Sequence, residues 1–367
     1  MNAPIYLDHN ATTPLHPAVL DAMTVSLRDH WGNPSSGHIH GRRAKAAMEQ
    51  ARAEVAELIG ARPGEIIFTS GGTESSNLAI RGAAALRTGA LVTSAIEHPA
   101  TMRPLQGLTG RTVVILPVDG EGRVAEDAPL PEAVALLTVM HANNEVGTLQ
   151  PIAALAARCG GLVHTDAAQS LGKVPVDVSA LGVDLLTIAG HKLYAPKGVG
   201  ALYIRDGLDL PPLLLGAGHE RGVRPGTENV ASIVGLGVAC RLAGAGLAEE
   251  SARLTELRRR LWARLSAGVS GLQRASPAEG VLPNTLNVLF PGVSGSAVLA
   301  GAPQVAASTG SACHEHGESP SGVLLAMGLP PALALGAVRL SLGHATTEAS
   351  IDTAAAALIA AWVRAAR

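Results

Sequence analysis

Two periods of apolar residues run along the chain. Short runs rich in leucine and β-branched residues predict strands at Ile66–Ser70, Ala90–Ser94, Thr112–Leu116, Leu136–Met140, Leu162–Thr165, Leu185–Ala189 and Gly200–Ile204. Between several of them lie alanine-rich stretches of helical spacing. Across Gly41–Ile59, for example, Ala44, Ala47, Met48, Ala51, Val55 and Leu58 fall on one stripe. Strand and helix alternating in this way argue for an α/β domain with a mostly parallel sheet, in which ligands bind beyond the carboxyl ends of the strands. The pattern changes after residue 248. Glu249–Ala267 predicts a charged amphipathic helix with Leu254, Leu257, Leu261 and Leu265 on one side. Beyond it Asn284–Phe290 and Ala337–Leu342 read as strands of a smaller α+β unit. The expected division is a large domain over 16–248 and a small one formed by 1–15 with 249–367.

Composition narrows the class. The 367 residues suffice for two packed domains, and a net charge of −2 gives no reason to expect nucleic acid or an anionic membrane as partner. Met1–Asn10 has no basic flank followed by an apolar run, so no secretory signal is expected. No stretch reads as long and apolar enough to cross a bilayer. Three scattered cysteines, Cys159, Cys240 and Cys313, point away from a disulfide framework and towards a reducing, cytoplasmic compartment.

Four strand ends carry polar clusters. Gly71-Gly72-Thr73-Glu74-Ser75 is a glycine turn opening a helix, suited to a phosphate at the helix N-terminus, although an ordinary capped turn reads the same. Asp166, in His164-Thr165-Asp166-Ala167-Ala168-Gln169, leaves an apolar strand and either caps the next helix or faces a cation such as a pyridinium nitrogen. Lys192 ends another buried run in Gly190-His191-Lys192, where desolvation makes its amine nucleophilic towards an aldehyde. His98 follows Ser94-Ala95-Ile96-Glu97 and is either a core histidine or a ring-stacking proton shuttle. A lysine, an aspartate and a phosphate-type turn on one sheet edge together indicate pyridoxal 5′-phosphate.

Ordered matches extend this reading over nearly the whole chain: Tyr6-Leu7-Asp8-His9-Asn10-Ala11-Thr12-Thr13-Pro14, Asn33-Pro34-Ser35-Ser36, Thr69 to Ser75, Glu97-His98 and Asn143-Asn144-Glu145-Val146-Gly147. They continue through His164 to Gln169, Gly190-His191-Lys192, Arg224-Pro225-Gly226-Thr227-Glu228-Asn229, Thr309-Gly310-Ser311-Ala312-Cys313 and Val338-Arg339-Leu340-Ser341-Leu342-Gly343. With these motifs the chain resembles the class V aminotransferase-type enzymes of fold-type I, and within them the cysteine desulfurase and selenocysteine lyase family. The resemblance implies a large domain with a mostly parallel seven-stranded sheet and a smaller α+β domain. It implies Lys192 as the cofactor-anchoring and catalytic lysine, Asp166 as partner of the ring nitrogen, Gln169 near the ring hydroxyl and His98 on the ring face. Gly72, Thr73 and His191 are then the phosphate site, Asn144 lies beside cofactor and substrate, and Arg339 holds the substrate carboxylate. Thr227 reaches the phosphate of the other subunit, which implies a homodimer with shared active sites. Cys313, in a segment that reads as a mobile loop, is the nucleophile that takes sulfur or selenium from L-cysteine or L-selenocysteine, leaves L-alanine and passes the persulfide to an acceptor protein.

The chain departs from the family pattern in three places. Ala189 stands where many desulfurases carry a phosphate-binding serine, and His344 replaces a second arginine after Ser341-Leu342-Gly343. Cys313-His314-Glu315-His316 is richer in histidine and glutamate than scaffold-type desulfurases and looks closer to selenocysteine lyases, so both substrates stay open. No further ligands accompany Cys313, His314 and His316, so no metal site is expected. Another lyase or aminotransferase, or a non-catalytic sulfur carrier, is the rival reading.

Overall fold

The computed structural model describes residues 4–309 and 319–367. The expected main sheet is present with seven strands: β1 Ile66–Thr69, β2 Ala90–Ser94, β3 Val113–Leu116, β4 Val134–Thr138, β5 Leu162–Asp166, β6 Leu185–Ala189 and β7 Gly200–Ile204. They lie side by side as β1-β7-β6-β5-β4-β2-β3. Strand β7 runs antiparallel to both its neighbours, and every other neighbouring pair is parallel. Helices cover both faces, so β1, β2, β6 and β7 are buried at every position, and their sequences run apolar without alternation. Six strands therefore point the same way, and the segments following β1, β2, β4, β5 and β6 meet along one edge.

A second, antiparallel sheet consists of β8 Gln273–Arg274, β9 Thr285–Leu289 and β10 Ala337–Ser341, in the order β10-β9-β8. Its register sets Asn287 opposite Arg339. Ile5–Tyr6 pairs in parallel with Val305–Ala306, which brings the start of the chain to this sheet. Leu7 accordingly packs in one apolar core with Leu254, Leu261, Val288, Leu340 and Leu358.

The helix expected at Glu249–Ala267 begins instead at Val230 and ends at Gly268. Glycines at 235 and 237 weaken helix propensity locally but serve packing. A Cβ on Gly235 would come within 2.9 Å of Met23, and one on Gly237 within 2.6 Å of the Ala51 Cα. Their absence lets the helices Pro17–Asp29 and Ile39–Leu58 lie close against the long helix. By length and composition this helix also contains an apolar window long enough to cross a membrane, at mean hydropathy 1.7, which corrects the expectation that no stretch qualifies. In the fold 44% of that window is buried, and Ile233, Leu236, Ala239 and Cys240 belong to the core beneath the main sheet.

Candidate active site

A cavity of about 470 Å³ opens at the carboxyl edge of the main sheet. Gly72, Thr73, His98, Asn144, Asp166, Gln169, His191, Lys192 and Arg339 all line it, although they come from widely separated parts of the sequence. Thr227 does not line it and is exposed. Cys313, with His314 and His316, lies outside the described residues.

Strand β6 ends in a single 3₁₀ turn, Gly190–Lys192. Gly190 is required there because a Cβ would press to 2.9 Å from the Val199 carbonyl oxygen. The turn aims Lys192 at the incoming N-terminal segment, where Nζ donates to the carbonyl oxygens of Asn10 and, at 2.8 Å, Ala11. Burial, with Arg339 nearby, lowers the Lys192 amine to about 8, against the opposing pull of Asp166 and Asp8. His191 shares a 3.2 Å hydrogen bond with the Thr12 hydroxyl, and the Thr13 amide donates to the His191 carbonyl at 3.0 Å.

Asp166 is the last residue of β5, and turns rather than a regular helix follow it. Its Oδ1 accepts from the Ala168 amide at 2.9 Å. Burial pushes its carboxyl up, partly offset by that amide and by His98 and Lys192. Beneath it His164 is fully enclosed, with its two ring nitrogens 2.7 Å from the Thr138 hydroxyl and 2.9 Å from the Thr187 hydroxyl. Burial drives His164 down to about 3, so it is a neutral strut in the sheet.

His98 caps the helix Pro99–Gln106 after β2, its Nδ1 accepting from the Ala100 amide at 3.1 Å. That bond leaves the ring proton on Nε2 in the neutral form. Burial lowers His98, with Asp166 opposing and Lys192 adding to the shift. Its neighbour Glu97 is half-buried and raised to about 8, chiefly by desolvation, while its Oε1 accepts from Ser94 and from the Met140 amide at 2.9 Å.

The helix Gly72–Leu86 begins at the cavity with no side chain capping it. Gly71 adopts φ 146°, and a Cβ on Gly200 would sit 2.7 Å from the Gly71 Cα, so two glycines bring this turn against the sheet. First-turn amides of Gly72 and Thr73 thus remain for an anion.

Arg339 enters from β10. One of its terminal nitrogens donates to Asp8 Oδ1 at 2.6 Å and the other to the Asn144 carbonyl at 3.1 Å, while its buried Nε has no partner among the described residues. Gln169 donates from Nε2 to the Asn10 carbonyl at 3.0 Å and accepts from Lys173 Nζ at 3.2 Å. Asn10, Asp8, Glu97 and Lys173 were not among the expected site residues. The first two stand in the quoted Tyr6–Pro14 motif, and Lys173 was signalled by a charge isolated among apolar residues after Gln169. An amine tuned towards neutrality, a buried carboxylate that gains from a cationic partner, a histidine and an uncapped helix start match the aldehyde, ring nitrogen, ring face and phosphate of pyridoxal phosphate.

The chain matches the family described as Aminotransferase class-V over residues 5–353. It is 45% identical to cysteine desulfurase IscS of Dictyoglomus turgidum over 365 residues, covering 96% of this chain and 93% of the relative. A solved NifS-like protein superposes with TM-score 0.90 at 37% identity, over 97% of this chain and 98% of that one. SspA, solved in complex with cysteine, superposes with TM-score 0.80 at 37% identity, over 92% of this chain and 98% of that one.

Proposed function

The chain belongs to the class-V aminotransferase family and, within it, to the cysteine desulfurases, and from that premise we propose how its residues remove sulfur from L-cysteine to give L-alanine. The enzyme depends on pyridoxal 5′-phosphate, which when bound supplies an amine-capturing aldehyde and a ring that withdraws electrons from the substrate α-carbon. The observation that carries the reading is the convergence of Lys192, Asp166, His98 and the Gly72–Thr73 helix start on one cavity. None of the relatives named above is a selenocysteine lyase by name: they are a cysteine desulfurase, a NifS-like protein and SspA solved with cysteine.

Lys192 anchors the cofactor and moves a proton at Nζ, which its lowered pKa permits near neutral pH. Asp166 would hold the ring nitrogen in its cationic form through an ion pair. With the cofactor bound, His98 would face its ring and Gln169 would offer its amide to a ring oxygen. Thr73, the amides at Gly72 and Thr73, and His191 hold the phosphate, so Ala189 leaves this set without a serine hydroxyl. Arg339 receives the substrate carboxylate as a two-pronged partner in exchange for Asp8, with Asn144 beside it. The Cys313 thiolate attacks the substrate sulfur. An S–S bond forms, the C–S bond breaks with its electron pair passing to carbon, and carbon takes up a proton on the way to alanine. Support comes from the described residues on either side: Ser308 pairs with the Arg339 backbone, and Ser321 donates to the carboxylate of Glu145, next to Asn144.

The rest of the proposal is a homodimer in which Thr227 serves the partner's site, a cytoplasmic setting in which Cys159 and Cys240 stay free, and a protein thiol as sulfur acceptor. The domain division at 16–248 against 1–15 and 249–367 belongs to it too, supported by separate apolar cores under the two sheets. Alanine formation from L-cysteine and from L-selenocysteine, in wild type and Cys313→Ala, tests the activity. Turnover of cysteine should fall more than about a hundredfold in the variant, as for loss of a covalent nucleophile. An undiminished Cys313→Ala enzyme would indicate a different lyase or aminotransferase, and a wild type confined to selenocysteine would refute the substrate.

A further inference from the structure

Gln169 is gripped at both ends of its amide. Nε2 donates to the Asn10 carbonyl and Oε1 accepts from Lys173 Nζ. The same Asn10 carbonyl takes a hydrogen bond from Lys192 Nζ, so Lys173, Gln169, Asn10 and Lys192 form one connected run. Gln169 and Lys173 are 6% and 8% exposed. The Asn10 carbonyl only accepts, and the Lys173 amine, lowered by burial to about 7, still donates when neutral, so between them the amide has a single orientation.

Lys173 does not border the cofactor cavity. It lines a separate, rear cavity of about 160 Å³, walled by Leu171, Leu242 and Leu254 and shared with His9, Tyr194 and Glu250, and Lys192 borders both spaces. Burying an amine among leucines is costly, and a leucine or methionine would fill the same position without that cost. Removing Lys173 would leave Gln169 Oε1 buried without this donor and the amide held by the Asn10 carbonyl alone.

We propose that Lys173 is a positioning residue: it holds the N–H end of Gln169 towards the cofactor cavity and the Asn10 carbonyl, giving a ring oxygen of pyridoxal phosphate a fixed donor and keeping Asn10 on Lys192. The proposal rests on the cofactor part of the function given above and not on desulfuration. Lys192, Arg339, His9 and His191 act on Lys173 through their charge, and His16, Tyr194, Glu250 and His344 share its cavity, so the variants are compared over a full pH range.

The protein is loaded with pyridoxal 5′-phosphate as wild type, Lys173→Met, Lys173→Arg, Gln169→Leu and the Lys173→Met/Gln169→Leu double variant. The readouts are the pH midpoint of the visible absorption band and cofactor retention on dialysis. Losing the donor leaves more negative charge on the ring oxygen, so the neighbouring protonated nitrogen keeps its proton to higher pH. Lys173→Met should raise the midpoint by about one unit and weaken retention about tenfold, the scale of one charge-assisted hydrogen bond. Lys173→Arg, with room in the rear cavity, should return both values towards wild type. The double variant should match Gln169→Leu alone, because Lys173 acts through Gln169.

An unmoved midpoint and retention in Lys173→Met overturns the proposal, and so does a full Lys173→Met shift in the Gln169→Leu background. If Lys173→Met does not fold, Lys173→Gln replaces it with an intermediate shift expected, and wild-type values there count equally against the role. Alanine formation from L-cysteine is followed in the wild type alongside. Absent activity with the expected band shift would sink the desulfurase reading and leave the Lys173 role standing. Full activity with an unmoved band would do the reverse.

Discussion

At Lys192 burial and the guanidinium of Arg339 drive the amine towards neutrality, and Asp166 and Asp8 pull against them. The net result, about 8, makes a pH prediction with a definite sign. Below that value the amine is protonated and cannot attack an aldehyde; above it the neutral form dominates. The rate at which cofactor-free protein develops its visible band on mixing with pyridoxal phosphate should rise from pH 6.5 to about 8 and level off beyond 9. An unperturbed lysine, titrating near 10.4, would keep gaining rate past pH 9. A steady climb through pH 10 would therefore refute the depressed amine. Lys192, Asp166 and His98 were legible in the sequence because a polar residue ending an apolar run stands out. The carbonyls of Asn10 and Ala11 were not, since they act through backbone atoms and reach Lys192 only after the chain start is carried across by the Ile5–Tyr6 pairing. His164 was quoted in a motif, but only the structure supplies its two threonine partners on adjacent strands.

Among the elements, the seven strands of the main sheet were read to within two residues at each end, because a strand buried on both faces is a bare apolar run between turn residues, whereas the two-residue strands Ile5–Tyr6, Gln273–Arg274 and Val305–Ala306 carry no such run and were missed. The long helix was read half-way. Its second half carries charges at helical spacing and announces itself; its first half is apolar around Cys240, with Arg241 as its one charge and glycines at 235, 237, 244 and 246, and gives no sign that it runs on into the second. Two substitutions separate packing from propensity there. Gly237→Ala gains up to about 1 kcal/mol of helix propensity but drives a methyl into the Ala51 backbone at 2.6 Å, and overpacking of that kind costs about 1–3 kcal/mol. Gly246→Ala meets nothing within 4 Å and should keep the propensity gain of about 0.5–1 kcal/mol. Urea denaturation should thus move in opposite directions for the two. A stabilised Gly237→Ala would mean that the helices have room to part, and the close-packing account of this glycine would fail.

At the scale of the whole molecule, the main sheet and its polar strand ends followed from patterning and Arg339 and Asn144 from the motif resemblance, yet Thr227, expected at a phosphate, stands apart from the cavity. The stretch that carries it is held in place on its own chain. Glu220 is bound by Arg52 and the Phe68 amide, Arg224 by Glu74, and Gly216 lies so close to Pro225 that a Cβ would be 2.8 Å away. The same stretch exposes Leu214 and Leu215 at 59% and 92%, next to an anchored backbone rather than a frayed one. Apolar residues presented on a fixed surface are what an isologous interface needs, and a second copy is the occupant that would also bring Thr227 to a phosphate. Light scattering should accordingly give about twice the 37.2 kDa chain mass. Leu215→Glu, which places a charge in that contact, should shift the protein towards monomer and loosen cofactor retention in the same samples, since each site loses its borrowed threonine. Monomeric wild type with tightly held cofactor would show that one chain completes its own phosphate site. A Leu215→Glu dimer would instead move the interface elsewhere, and the exposed leucines would then need another partner.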